Sequence, residues 1–258
     1  MTVTLPTIRA ALVEHHRRYK SRRGWSIEYH VECWQDGIRA CESCTLSDYK
    51  IVYLHLRNKW RAFRPITPHQ WGPERILAEL NVCDGDFKSR NLSSIREHDV
   101  PALSEMLTRL GQMKKNKRGP SVVALSKVLH FWNPRLFVIV DDLIMWKWVF
   151  GHWWLREPVD EIRKRLTAIL PIRGKSDDPS CDLSSYVAIL LWTSELARKN
   201  QALTTEFANY VRKYSKRDVT PIPLEVYEAA AVEWFLLGAV ELIPNGIECS
   251  KAAVPALL

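Results

Sequence analysis

Apolar residues recur at helical spacing along most of the chain. Leu5, Ile8 and Leu12, with Val13 beside them, predict a basic amphipathic helix over 5–20. Residues 24–44 admit two readings: "WSIEYHVECW" alternates enough for a strand and equally suits the start of a helix. Thr45 followed by Asp48 is a cap pair, after which Tyr49, Val52, Leu56, Trp60 and Phe63 keep a helical period. "FRPITPHQWGP" (63–73) breaks that pattern, and a helix over 74–81 and a polar loop follow. Asp99 ahead of Val100 and Pro101 marks another start, with Leu103, Met106, Leu107 and Leu110 on its apolar face.

"KKNKRGPS" ends that helix. A further one is predicted over 121–132, stopped by "NPR" at 133–135. Later helices are expected near 141–152, 157–170, 182–200, 203–215 and 223–241, with a Gly/Ser/Asp/Pro loop at 171–181. No internal repeat or low-complexity segment interrupts the series. The expectation is an all-α protein of about ten helices, with room for a small β element before residue 65. Three regions follow from the breaks: 1–98, 99–170 and 171–258, the last packing into the same globule.

Composition supports a packed helical protein. Of 258 residues, 47% are apolar, enough for a sizeable core, and the 10 glycines are few for a strand-and-turn architecture. The 11 tryptophans can fill a core or stack on bases. Lys and Arg exceed Asp and Glu by 37 to 29, a net charge of +8, which favours an anionic partner and most often nucleic acid. "HHRRYKSRR" (15–23) and "KKNKR" (114–118) concentrate that charge, although a solvated face would look the same. The N-terminal sequence has no signal-peptide pattern, and charges interrupt every window approaching the ~18 apolar residues of a membrane span. A cytoplasmic location without membrane contact is expected, with the six cysteines reduced. His30, Cys33, Cys41 and Cys44 have a zinc-like spacing, but the seven-residue gap is short. Scattered thiols and no metal or other cofactor are the expectation.

The chemistry concentrates in "SVVALSKVLHFWNPRLFVIVDDLIMWKW" (121–148). Lys127 lies roughly opposite the face of Val122, Leu125, Leu129 and Trp132, where a cleft lysine and a solvated lysine would both fall. Fourteen residues on, an apolar run ends at Asp141 and Asp142. An aspartate there suits a helix cap, and capping is compatible with chemistry. His130 reads as a structural histidine. Trp146 and Trp148 suit the core or a stacking surface.

Residues 99–151 resemble the helix-hairpin-helix DNA glycosylase superfamily, nearest to its 8-oxoguanine glycosylase branches. "ALSKVLHF" matches that family's lysine helix, and "FVIVDDLIMW" its aspartate turn. The resemblance implies a two-lobed multi-helix fold acting as a monomer on double-stranded DNA. It places Lys127 at the lysine position of the lyase members and Asp141 at the catalytic aspartate, with Asp142 as the alternative one register on. It makes Lys114, Lys115, Lys117, Arg118 and Gly119 a hairpin that grips the DNA backbone, as a basic loop before a helix N-terminus can. Trp132, Trp146 and Trp148 become candidates to line a pocket for a flipped base, with Trp153 and Trp154 nearby. The implied activity is base excision, with or without strand cleavage. The base would be an oxidised purine, or a modified base in foreign DNA as an antiviral defence enzyme would need. A carboxylate stabilises the positive sugar that forms, and a neutral lysine amine can attack C1′. Two other readings remain: a non-catalytic helical DNA-binding module, and a helical interaction protein with no nucleic-acid role.

Overall fold

Local sequence signals set most helix starts. Thr45 Oγ1 accepts the amide of Asp48 (3.4 Å) and opens α3 (Leu46–Asn58). α3 follows α1 (Leu5–Tyr19) and α2 (Ile27–Ser43), and precedes α4 (Pro73–Val82). The computed structural model describes residues 3–19, 26–60, 62, 71–82, 87–113, 115–116, 119–166, 182–219 and 222–242. Pro73 begins α4, where its missing N–H costs no helical bond. α5 (Val100–Leu110) starts where expected, but Asp99 does not cap it. The Asp99 carboxylate instead pairs with Arg90 (2.6 and 2.7 Å) and accepts the amide of Arg96 (2.8 Å).

Helix wins over strand in the described part of 24–44, over Ile27–Ser43. The buried residues of α2 include His30, Cys33, Trp34, Gly37, Ala40 and Cys41, a helical period rather than an alternation. No strand lies before residue 65 among the described residues. The one ladder among the described residues is a two-residue antiparallel pairing between α5 and α6, β1 (Lys115–Asn116) with β2 (Gly119–Pro120), which sets Lys115 against Pro120 and Asn116 against Gly119.

α6 (Val122–Trp132) is capped by Ser121, whose hydroxyl accepts the amide of Ala124 (3.4 Å). It is buried almost all round, and Lys127 is only 8% exposed. The solvated-lysine alternative is therefore wrong, because this helix has no outer face at that position: α2 and α3 pack on it. The segment expected as an α-helix over 141–152 is a π-helix, Asp142–Val149. Its wider turn shows in the bonds from Trp146 N to Asp141 O and from Phe150 N to Met145 O, both 2.9 Å. α7 (Trp153–Leu166) begins ahead of the expected residue 157 and holds Pro158 inside it. α8 (Leu183–Lys199), α9 (Ala202–Tyr214) and α10 (Glu228–Leu242) complete the order. Asp182 caps α8 through the amide of Ser184 (3.0 Å).

One continuous core draws on all three regions of the sequence. α8 packs against α5, α7 and α10, and α10 also meets α1 and α9. The buried stripe of α1 is Ile8, Ala11, Leu12 and His15, while Leu5 and Val13 are exposed. The stripe is thus rotated from the expected one, because small Ala11 and ring-stacked His15 face α10. His15 lies on Trp234 with ring centroids 4.3 Å apart. Gly238 permits this contact: a Cβ there would lie 1.8 Å from the Ala11 carbonyl oxygen. Gly37 does the same where α2 crosses α6, with a Cβ placed 2.5 Å from the Phe131 carbonyl oxygen.

Gly238→Ala is expected to destabilise the protein by about 2 kcal/mol or more, since backbone must move to admit one methyl. Urea unfolding measures it. A stability within ~0.5 kcal/mol of wild type would mean that α1 is not seated on α10 as described.

Candidate active site

Asn133 ends α6 and starts the segment that carries the candidate chemistry. Its amide nitrogen donates to the carbonyls of Phe87 (2.7 Å), Lys88 (3.2 Å) and Arg90 (3.0 Å), and its Oδ1 accepts the amide of Arg135 (3.1 Å). The chain then runs through residues 136–140 outside any helix or sheet, and all five are buried. Buried backbone groups without a ladder partner need other partners. Side chains from three helices supply them. His130 Nδ1 donates to Phe137 O (2.6 Å), and the Tyr186 hydroxyl donates to Val138 O (3.0 Å). The amide of Ile139 donates to the Glu233 carboxyl, and the amide of Val140 donates to Ser126 Oγ (3.0 Å).

This network carries little charge at neutral pH. Trp34 Nε1 donates to His130 Nε2 (3.1 Å), so Nε2 is an acceptor and the ring proton sits on Nδ1. Burial pushes His130 down to about 4 and His30 down to about 3, so both rings are neutral. Burial pushes Glu233 up to about 8, so it is mostly protonated at pH 7.

The buried run ends at Asp141, which is partly exposed. Its two oxygens do different work. Oδ1 accepts the amide of Ile144 (3.3 Å) and caps the first π-helical turn, while Oδ2 lies 3.4 Å from Lys127 Nζ. The two residues sequence reasoning placed at the centre of the chemistry are therefore brought together. Lys127 Nζ also donates to the carbonyl of Trp60 (3.1 Å), just beyond the end of α3. The Trp60 ring stacks on Tyr29 (centroids 6.0 Å) and meets His30 and Phe131 (4.9 Å each). The residue whose carbonyl holds the amine thus sits in an aromatic group with members from α2 and α6. A carboxylate at this distance can exchange a proton with an amine once a substrate tightens the geometry. Sequence reasoning gave Trp60 only a place on a helical face. Nothing local marks it, because tertiary packing alone brings it to Lys127.

The remaining expected residues scatter. Trp132 is 1% exposed and packs on Phe137, so it cannot receive a base. Trp146 packs on Phe150, whereas Trp148 donates to Glu241 (3.1 Å) and lies under Arg18. Among the described ring contacts, none joins these three tryptophans. Lys114, Lys117 and Arg118 lie outside the described residues, as do the side chains of Lys115 and Asp142, while Gly119 pairs with Asn116 in the ladder. The four residues with zinc-like spacing, His30, Cys33, Cys41 and Cys44, do not converge. Cys33 and Cys41 are eight residues apart on α2, about 12 Å along the axis. Cys41 and Cys44 instead meet Lys88, and His30 packs among Trp34, Trp60 and Trp234. The donors that do converge among the described residues are Glu32, Asp36 and His55.

No protein-family model, curated protein or solved structure matches the chain. No helix among the described residues is long and apolar enough to cross a membrane.

Ser126→Ala would leave the buried amide of Val140 without its partner, at an expected cost of about 1–3 kcal/mol by urea unfolding. A change below ~0.5 kcal/mol would contradict the role given to Ser126.

Glu233 gives a pH prediction. Its folded value is raised to about 8 from an ordinary 4.5, so the folded chain binds more protons between these values. This contribution to stability is full below about pH 4.5 and is lost as pH rises through about 8. His55, raised to about 9 by its hydrogen bonds to Asp36 and Cys33, acts in the same direction, so a variant is needed to isolate Glu233. Between pH 6.5 and 8.5, wild type is expected to lose on the order of 1–2 kcal/mol more than Glu233→Gln. Parallel curves for the two proteins would contradict the buried, protonated state.

Proposed function

We propose that the protein is a monomeric DNA glycosylase that excises a damaged or modified base flipped out of double-stranded DNA, with or without cleavage at the resulting abasic site. The observation that carries this reading is the approach of Lys127 Nζ to Asp141 Oδ2, 3.4 Å apart where a buried apolar run meets the surface. Three further features support it. Residues 99–151 resemble the helix-hairpin-helix glycosylases in their lysine helix and aspartate turn. Lys115 and Asn116 of the basic "KKNKR" segment form a strand of the two-residue ladder between α5 and α6. The net charge of +8 suits a polyanionic partner.

In this mechanism Asp141 stabilises the positive charge that grows on the sugar as the bond to the base breaks. In the hydrolytic route, water attacks C1′ and gives its proton to Asp141. The base leaves with the bonding electron pair and is then protonated. In the lyase route, a neutral Lys127 amine attacks C1′ instead and passes a proton to Asp141. The base leaves with the bonding pair. The C1′–O4′ bond then breaks, O4′ takes the proton held by Asp141, and an iminium forms. Asp141 or water removes a C2′ proton, and the 3′ phosphate departs with the C3′–O electron pair. The substrate is an oxidised purine or a modified base in foreign DNA.

A second reading has a specific observation behind it. Lys127 donates both to Trp60 O and to Asp141, and that pair of contacts also suits a purely structural tie between the end of α3 and residue 141. A non-catalytic DNA-binding module would need nothing more.

One experiment separates the two. The protein is incubated with DNAs carrying a panel of modified bases, phage DNA included, and assayed for abasic sites and for borohydride-trapped complexes. Base release is expected, falling about 100-fold or more in Asp141→Asn. Trapping that is lost in Lys127→Gln identifies the lyase route. Release that survives Lys127→Gln without trapping identifies the hydrolytic route. No release from the whole panel, with DNA binding unaffected by Asp141→Asn, would overturn the glycosylase reading in favour of the binding module.

A further inference from the structure

Glu32 and Asp36 lie one turn apart on α2, and His55 comes from α3. One donor atom from each falls within 4.8 Å of the others. His55 Nε2 is 2.9 Å from Asp36 Oδ2, and Nδ1 is 3.4 Å from the Tyr29 hydroxyl. One ring nitrogen thus faces a carboxylate of the same group, while the Tyr29 hydroxyl lies beside the other and can hold the ring in place as an outer partner. Without an ion, Nε2 donates its proton to Asp36; binding an ion displaces that proton, and Nδ1 then carries the ring proton toward Tyr29. The three side chains are 11% (His55), 15% (Asp36) and 33% (Glu32) exposed, shielded yet reachable from solvent.

We propose that Glu32, Asp36 and His55 bind one divalent transition-metal ion of the zinc class. Imidazole with two carboxylates suits a borderline ion, whereas calcium and magnesium favour all-oxygen sets. The two carboxylates balance the charge of the ion. Their present cationic partners are held at the margin: Arg39 lies 3.6 Å from Asp36 Oδ1, the oxygen not used by His55, and Arg217 reaches Glu32 from the surface (3.1 Å). An ion here ties α2 to α3. Tyr29, which touches His55, also stacks on Trp60, whose carbonyl holds the Lys127 amine. The site is therefore structurally next to the candidate active site, but its existence does not depend on the glycosylase reading.

The test uses the full chain, stripped with a chelator and titrated with Co²⁺ as a spectroscopic probe, then with Zn²⁺ to displace it. One equivalent is expected to bind, giving visible cobalt absorption without a near-ultraviolet thiolate band. Affinity is expected to fall about tenfold or more in Asp36→Asn and in His55→Ala. Glu32→Gln, at the most exposed of the three positions, replaces either variant if it fails to unfold cooperatively. No stoichiometric binding, a thiolate band, or equal affinities in wild type and the folded variants would overturn the proposal.

Discussion

A buried, extended stretch of backbone with no strand beside it has to find hydrogen-bond partners among side chains. Residues 137–140 are in that position, and much of the structure is organised around satisfying them. Each unpaired buried group would cost about 1–3 kcal/mol. Ser126 and His130, one turn apart on α6, face the run together, as residues at i and i+4 do. Tyr186 comes from α8 and Glu233 from α10. These two helices have their own anchors. Asp182 fixes the start of α8, and Gly238 lets α10 sit against α1. The position of one short run therefore depends on helices from distant parts of the chain.

The consequence for chemistry is positional. The run leaves the core at Asp141 and delivers its carboxylate with one oxygen engaged in capping and the other directed at Lys127. Lys127 is held from the other side by the carbonyl of Trp60. Its stem lies in a helix that is otherwise apolar or neutral on nearly every side, so the ammonium reaches polar partners only at the margin. The network beneath, His130 with Glu233, is largely uncharged at neutral pH. Charged side chains are thus gathered at the end of the run, where it leaves the core.

Much of this was legible in the sequence, and the reasons differ by element. Helices α6, α8 and α9 fall within a residue of their expected bounds, because regular apolar spacing coincides there with caps at Ser121 and Asp182 or with a polar break. Asp141 stood out because an apolar run meets acid abruptly. The face of α1 was misjudged, since Ala11 and His15 carry weak hydrophobic signals and Leu5 a strong one. The burial of Lys127 was not readable, because helical periodicity cannot show that a helix is covered on every side. The π-helical turn was hidden as well, because "DLIMWKWV" is apolar at most positions and offers no face from which a period can be read. Trp60 was out of reach for a different reason, since its partner is distant in sequence and nothing near it marks the contact. The resemblance of residues 99–151 pointed to Lys127 and Asp141, and the observed contact between them is geometry that the resemblance did not supply.

The central structural claim is that residues 137–140 are held as firmly as a helix, so that Asp141 is fixed in front of Lys127. Amide hydrogen exchange of Ile139 and Val140 tests it most directly, because their partners are the side chains of Glu233 and Ser126 rather than a ladder. The account predicts protection of both amides comparable to that of the buried amides of α6 and α8. Exchange as fast as in an exposed loop would contradict it.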